Sequence, residues 1–202
     1  MFFSLSKNNN LHIKYITKLM EIGIVSMCPN IKYIKYVVNS IKILGYTPYV
    51  LDLYHGDKLK IFYIIKKSKI QHWIFTGSSC SVIEKSAPQI PLDIYKLNDK
   101  KFMMICYSLE SIAYQLNLPI SFRKENKKEL FDLQVNNKKL ILWRNHYGYL
   151  SSNINIDPLI HIKSYDGECM ILLYKNSILV QFHPERTHDG IEFMNNWINN
   201  LT

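Results

Sequence analysis

Phe102-Met103-Met104-Ile105-Cys106-Tyr107-Ser108 is the stretch on which the fold turns. The apolar run Phe102 to Cys106 has the length of a buried strand, and a helix over Ser108 to Leu118 leaves it at once. A strand that hands a cysteine directly to a helix is a nucleophile-elbow arrangement. It leaves the amide of the next residue, Tyr107, free to stabilise an oxyanion. The helix N-terminus favours an anion and predicts a lowered thiol pKa for Cys106. Taken alone, an apolar-flanked cysteine is most simply an inert buried thiol.

Outward from this segment, strands and helices alternate. Strands are predicted at Ile22 to Val25, Tyr49 to Leu53 and His72 to Phe75. Helices are predicted over Ile31 to Leu44, closed by Gly45, and over Leu59 to Lys67, with a short one near Leu92 to Leu97. That alternation implies an α/β fold with a mainly parallel sheet covered by helices on both faces. Downstream, short strands are expected at Phe131 to Val135, Leu140 to Trp143, Ile160 to Tyr165, Met170 to Tyr174 and Ile178 to Phe182. A helix from Gly190 to Asn199 follows. Residues 1–20, polar around Asn8-Asn9-Asn10, read as an N-terminal extension, and residues 21–202 as one domain.

The run Gln181-Phe182-His183-Pro184-Glu185 supplies what a cysteine nucleophile lacks. It places an imidazole and a carboxylate two residues apart at a strand end, where alternation turns both to one side, and Pro184 limits drift. His183 would take the thiol proton and return it to the leaving group, with Glu185 orienting the ring. Cysteine and histidine each have bland readings alone; together, each in its proper context, they point to nucleophilic catalysis.

Composition narrows the alternatives. With 202 residues, 48% of them hydrophobic, the chain can bury a sizeable core. It has no apolar run of about eighteen residues and no secretory signal pattern, so a cytoplasmic protein without a membrane span is expected. Cys28, Cys80, Cys106 and Cys169 form no C-x-x-C pair, and no zinc site, other metal or cofactor is indicated. The formal charge of +9 comes from scattered lysines amid Ile, Asn and Tyr, the mixture that AT-rich codons supply. Without a recognition motif it does not make a nucleic-acid binder. The one basic cluster, Arg123 to Lys128, reads as a solvated loop or helix face.

These motifs resemble those of class I glutamine amidotransferases, most of all the glutaminase domain of GMP synthases. Thr76-Gly77-Ser78-Ser79-Cys80-Ser81 stands at the family's oxyanion loop, Ile105-Cys106-Tyr107 at its nucleophile, and Trp143-Arg144-Asn145-His146 at a substrate-holding segment. Asp166-Gly167-Glu168, Gln181 to Glu185 and Thr187-His188-Asp189-Gly190 follow in family order. The resemblance implies a flavodoxin-like mixed sheet and a Cys106–His183–Glu185 triad. It further implies an oxyanion hole at Ser78 and Tyr107, and substrate contacts from Gly77, Glu110, Asn145 and His146. His146 has an equally good reading as a structural histidine.

The departures concern support rather than the triad. Met104 and Ser108 replace the elbow glycines, Ser78 and Ser79 replace a Gly-Pro pair, and Glu110 stands where a glutamine is usual. A positive φ at Ser78 would cost about 1 kcal/mol or more. The leading expectation is a glutaminase that releases ammonia from glutamine and passes it to a separate ATP-pyrophosphatase synthetase subunit. The alternatives are a stand-alone γ-glutamyl hydrolase and a degenerate amidotransferase kept for binding or regulation.

Overall fold

The computed structural model describes residues 20–135, 137–153 and 162–200. Of the expectations above, nearly all of the N-terminal extension (1–19) and the start of the 160–165 strand lie outside them.

A seven-stranded sheet runs through the described residues in the order β2-β1-β3-β4-β9-β8-β7. Its first five positions, β2 (Thr47–Asp52), β1 (Glu21–Ser26), β3 (His72–Phe75), β4 (Lys101–Ile105) and β9 (Ser177–Val180), pair in parallel. β8 (Glu168–Tyr174) and β7 (Ile162–Tyr165) are antiparallel. The mixed, mainly parallel sheet expected from the sequence is therefore present.

Strand alternation splits the core into two layers. Trp73, Phe75, Phe102 and Met104 face one side, where they meet Ile61 and Ile65 of α2 (Lys58–Lys67) and Leu109 and Ile112 of α3 (Tyr107–Gln115). Ile74, Met103 and Ile105 face the other, against Val37 and Ile41 of α1 (Ile34–Ile43) and Phe193, Met194 and Trp197 of α4 (His188–Ile198). Both faces are thereby covered, as parallel strands without a solvated side require.

Local signals fix the helix ends. After α1, the Tyr46 amide bonds Ile41 O and the Gly45 amide bonds Lys42 O, each at 3.0 Å, with Gly45 at φ +83°. This is a Schellman closure, for which glycine is the low-cost residue. Asp57 caps α2 by accepting from the amides of Leu59 and Lys60, and Thr187 caps α4 by accepting from Gly190 N.

The middle of the chain departs from expectation. Two long strands, β5 (Ile120–Val135) and β6 (Lys138–Leu150), form a separate antiparallel ribbon. The predicted segments 131–135 and 140–143 are only its distal part. Arg123 to Lys128, expected as loop or helix face, lies within β5 where the register shifts between Phe122 and Lys127. Half of β5 is exposed and nothing in it before Phe131 is buried, so that part carries no apolar alternation to read. The inward row of β6 is buried, and includes Leu142, Arg144, His146 and Gly148.

Arg144 fastens this ribbon to the sheet. Its guanidinium donates to Glu129 Oε1 from Nε (2.8 Å), to Glu168 Oε2 (3.1 Å) and to Asp166 Oδ2 (3.4 Å). It also stacks on the Phe131 and Tyr165 rings, 5.3 and 5.0 Å from their centroids. Removing one member of a buried ionic group leaves uncompensated charge. Arg144→Ala should therefore destabilise the fold by about 3 kcal/mol. In urea unfolding this appears as a lower midpoint at unchanged slope; an unchanged midpoint would show that the network carries no stability.

Candidate active site

The carboxyl ends of β3, β4 and β9 lie side by side because the three strands are parallel, and each delivers one part of the site. β4 ends in Cys106, whose backbone sits at φ 51°, ψ −108°, a conformation rare for a non-glycine residue. Its amide donates to Val180 O at 2.7 Å, and its carbonyl accepts from Glu110 N at 3.1 Å as the first turn of α3. The reversal is thus pinned on both sides, and strain of about 1–3 kcal/mol is held there by the surrounding structure.

β9 ends at Val180, not at Phe182, and Pro184–Arg186 forms a 3-10 turn. His183 and Glu185 are therefore brought together by that turn rather than by strand alternation. His183 Nδ1 and Glu185 Oε1 are 2.9 Å apart, and the His183 amide donates to Trp143 O at 2.8 Å, which anchors the turn to β6. The His183 ring and the Cys106 side chain both close on Gly77, and each acts on the other's pKa. Gln181 Nε2 and the carbonyl of Asn145 each lie 3.9 Å from Cys106 Sγ.

β3 leads into the Thr76–Ser81 loop. A Cβ on Gly77 would come within 3.1 Å of His183 Cε1 and 3.5 Å of Cys106 Cβ, so this glycine lets the loop close on the pair. Among the described residues Ser78 and Ser79 do not have positive φ, so the anticipated strain at Ser78 is absent. Ser78 Oγ instead accepts from Cys80 N at 3.2 Å. The loop is tethered by Ser108 Oγ, which donates to Thr76 O at 2.6 Å, and the segment after it by the Tyr107 hydroxyl, which donates to Pro88 O at 2.8 Å. Ser108 thus does more than enlarge an elbow glycine position, since its buried hydroxyl ties the start of α3 to the loop. Met104 is wholly buried in the core layer of α2 and α3.

These groups share a cavity of about 560 Å³ with Gly77, Ser78, Tyr107, Glu110, Asn145, His146 and Glu185 on its lining. Every residue singled out as a candidate lies at it. Glu110 is 5% exposed; its Oε1 accepts from Gln181 Nε2 at 3.0 Å. Its Oε2 sits 2.5 Å from where a Cβ on Gly148 would stand. Burial raises the Glu110 pKa, with Gln181 and His183 acting in the opposite direction.

Electrostatics correct one expectation. Burial pushes the Cys106 thiol up, and His183 and the Tyr107 amide recover only part of that, so the helix N-terminus does not prevail. Burial also acts to lower His183, but the Glu185 carboxylate, followed by Cys106, outweighs it and holds the imidazole well above its usual value. Both members of the pair are thus raised, the thiol by burial and the imidazole by the carboxylate beside it.

Smaller expectations also have an outcome. All four cysteines are free, and Cys80 packs against the core layer that holds Tyr107. His188, Asp189 and Glu192 cluster at the start of α4, but Asp189 accepts from Ile141 N and Glu192 pairs with Lys138. No helix among the described residues is long and apolar enough to cross a membrane.

No family model matches the chain. It is similar to two glutamine-hydrolysing GMP synthases. That of Cytophaga hutchinsonii is 27% identical over 141 residues, and that of Carboxydothermus hydrogenoformans is 26% identical over 145. Each match covers 62% of this chain and 27% of the relative, so the chain spans little more than a quarter of their length. Its fold is similar to that of a GMP synthase subunit from Thermoplasma acidophilum (TM-score 0.66, 16% identity, covering 90% of this chain and 93% of that one). It is likewise similar to a chain of PurLQS from Thermotoga maritima (TM-score 0.64, 16% identity, 91% and 100%). The resemblance read from the motifs is thus found again in sequence, and the class I amidotransferase-like fold in structure.

If Glu185 is what raises His183, Glu185→Gln should lower the imidazole pKa from its raised position. Proton NMR titration of the His183 ring reads this directly; an unmoved titration would remove Glu185 from that role.

Proposed function

We propose that this domain, residues 21–202, is a glutaminase of the class I amidotransferase kind, with Cys106 as nucleophile, His183 as acid and base, and Glu185 orienting the ring. The observation that carries the reading is a cysteine at a strained elbow that meets, beside Gly77, a histidine that a buried carboxylate holds at 2.9 Å.

The chemistry needs no cofactor. The glutamine carboxamide sits over Cys106; His183 takes the thiol proton and the sulfur attacks the amide carbon. The oxyanion is held by the backbone amides of Ser78 and Tyr107. His183 gives its proton to the departing nitrogen, ammonia leaves, and a glutamyl thioester remains. Water then yields one proton to His183 and its oxygen to the carbonyl carbon. The thiol is regenerated, and glutamate is released. A raised His183 pKa favours the first transfer, which a buried thiol would otherwise resist. Gly77, Glu110, Asn145 and His146 contact the substrate.

The ammonia passes to a separate ATP-pyrophosphatase synthetase subunit, in a GMP-synthase-like step of cytoplasmic purine synthesis. The GMP synthase relatives support this setting. A second reading, hydrolysis of larger γ-glutamyl amides, draws on the acidic Glu110 and on a cavity of about 560 Å³ that gives room beyond the carboxamide.

Cys106→Ala should reduce glutamine-dependent ammonia release by about three orders of magnitude or more, with folding intact. Release that persists in the variant contradicts the reading. Faster turnover of γ-glutamyl peptides than of glutamine by the wild type selects the second one.

A further inference from the structure

β2 is the outer strand of the seven-stranded sheet, and only its β1 side is paired among the described residues. The amides of Thr47 and Leu53 both donate to the β1 side, at Met20 O and Ser26 O. Strand alternation therefore turns the backbone of Tyr49 and Leu51 inward as well, and that of Pro48, Val50 and Asp52 outward. Pro48 has no N–H to lose at such a position. The amides of Val50 and Asp52 and the carbonyls beside them are left to pair with another strand. Tyr49 and Val50 are 39% and 40% exposed, so apolar side chains accompany the open edge.

Lysines scattered in the sequence collect around this edge. Eight lie between residues 32 and 69, against the two carboxylates Asp52 and Asp57, a surplus of six in a formal net charge of +9. All eight are exposed, and none reaches a carboxylate among the described residues, whereas Lys96, Lys100, Lys127, Lys138 and Lys139 do. Asp52 is engaged with His55, and Asp57 caps α2. On α1, Ser40 and Tyr36 meet the 3-10 turn that follows β9, so Lys35 and Lys42 lie on the opposite flank, toward β2. On α2, Lys58 opens toward Lys85 and Pro88, which follow β3, and this leaves Lys60 and Lys67 on the β2 flank. Because α1 and α2 cover opposite faces of the sheet, the edge runs between two rows of unanswered positive charge.

We propose that this edge docks an extended, acidic segment of a partner protein, which joins the sheet as a further strand beside β2. Its backbone pairs with Val50 and Asp52, its apolar side chains meet Tyr49 and Val50, and its carboxylates meet the lysine rows on either face. A second copy of this chain brings lysine against lysine at the same edge and is disfavoured. A nucleic acid answers the charge but leaves the open strand unpaired. β1 separates the edge from β3, β4 and β9, so the inference does not depend on the chemistry at Cys106.

The probe is a fluorescent peptide of alternating glutamate and valine, titrated with the full chain and read by anisotropy. A Glu-Pro-Pro repeat of equal charge, which cannot pair as a strand, is the comparison. The alternating peptide should bind at least about tenfold more tightly, and added salt should weaken it. Val50→Pro removes an outward amide and no bond to β1, so it should abolish that preference; Lys42→Glu with Lys60→Glu should weaken both peptides. Should Val50→Pro fail to fold, hydrogen exchange of the unaltered chain reads the same contact: the alternating peptide slows the Val50 and Asp52 amides and the Glu-Pro-Pro repeat does not. Equal binding of the two peptides, binding of neither, an unslowed Val50 amide, or tighter binding of single-stranded DNA or phosphatidylserine vesicles than of the alternating peptide overturns the inference.

Discussion

The backbone reversal at Cys106 is the constraint from which the rest of the site follows. A residue at φ 51° cannot continue β4, so the chain leaves the sheet and starts α3 within one residue. The cost is contained because the Cys106 amide is held by Val180 and its carbonyl by Glu110. Val180 belongs to β9, and β9 runs directly into His183. The bond that stabilises the elbow therefore also sets where the histidine arrives, and the Gly77 loop closes over both.

Charge is organised around the same centre at two distances. Close to the sulfur, Glu185 gives His183 its basicity against the opposing pull of burial. Farther out, Arg144, Arg123 and Glu168 form a buried ionic group that couples the β5–β6 ribbon to the sheet and orients His146. The guanidinium that fastens the ribbon also helps keep a cavity-lining imidazole neutral.

Much of this was legible in the sequence, and the reasons differ by element. β3 was readable to the residue because a central parallel strand is continuously apolar, and α1 because its buried face repeats at helical spacing. That Cys106, His183 and Glu185 come together was legible through their positions at element ends. The first part of the β5–β6 ribbon was not, since β5 buries nothing before Phe131 and its basic stretch imitates a loop. Arg144, Glu129 and Glu168 are far apart in sequence and meet only in space, so nothing local announced their network. The direction of the Cys106 shift was missed for a related reason: helix position can be read from sequence, whereas depth of burial cannot.

The central claim, that Cys106 is a nucleophile directed at a γ-glutamyl group, is met most directly by chemical labelling. A chloroketone analogue of glutamine, followed by peptide mass spectrometry, should modify Cys106 with one-to-one stoichiometry. Glutamine should protect it, and Cys28, Cys80 and Cys169 should remain free. Absence of the adduct at saturating reagent, or modification of Cys80 in its place, would contradict the account.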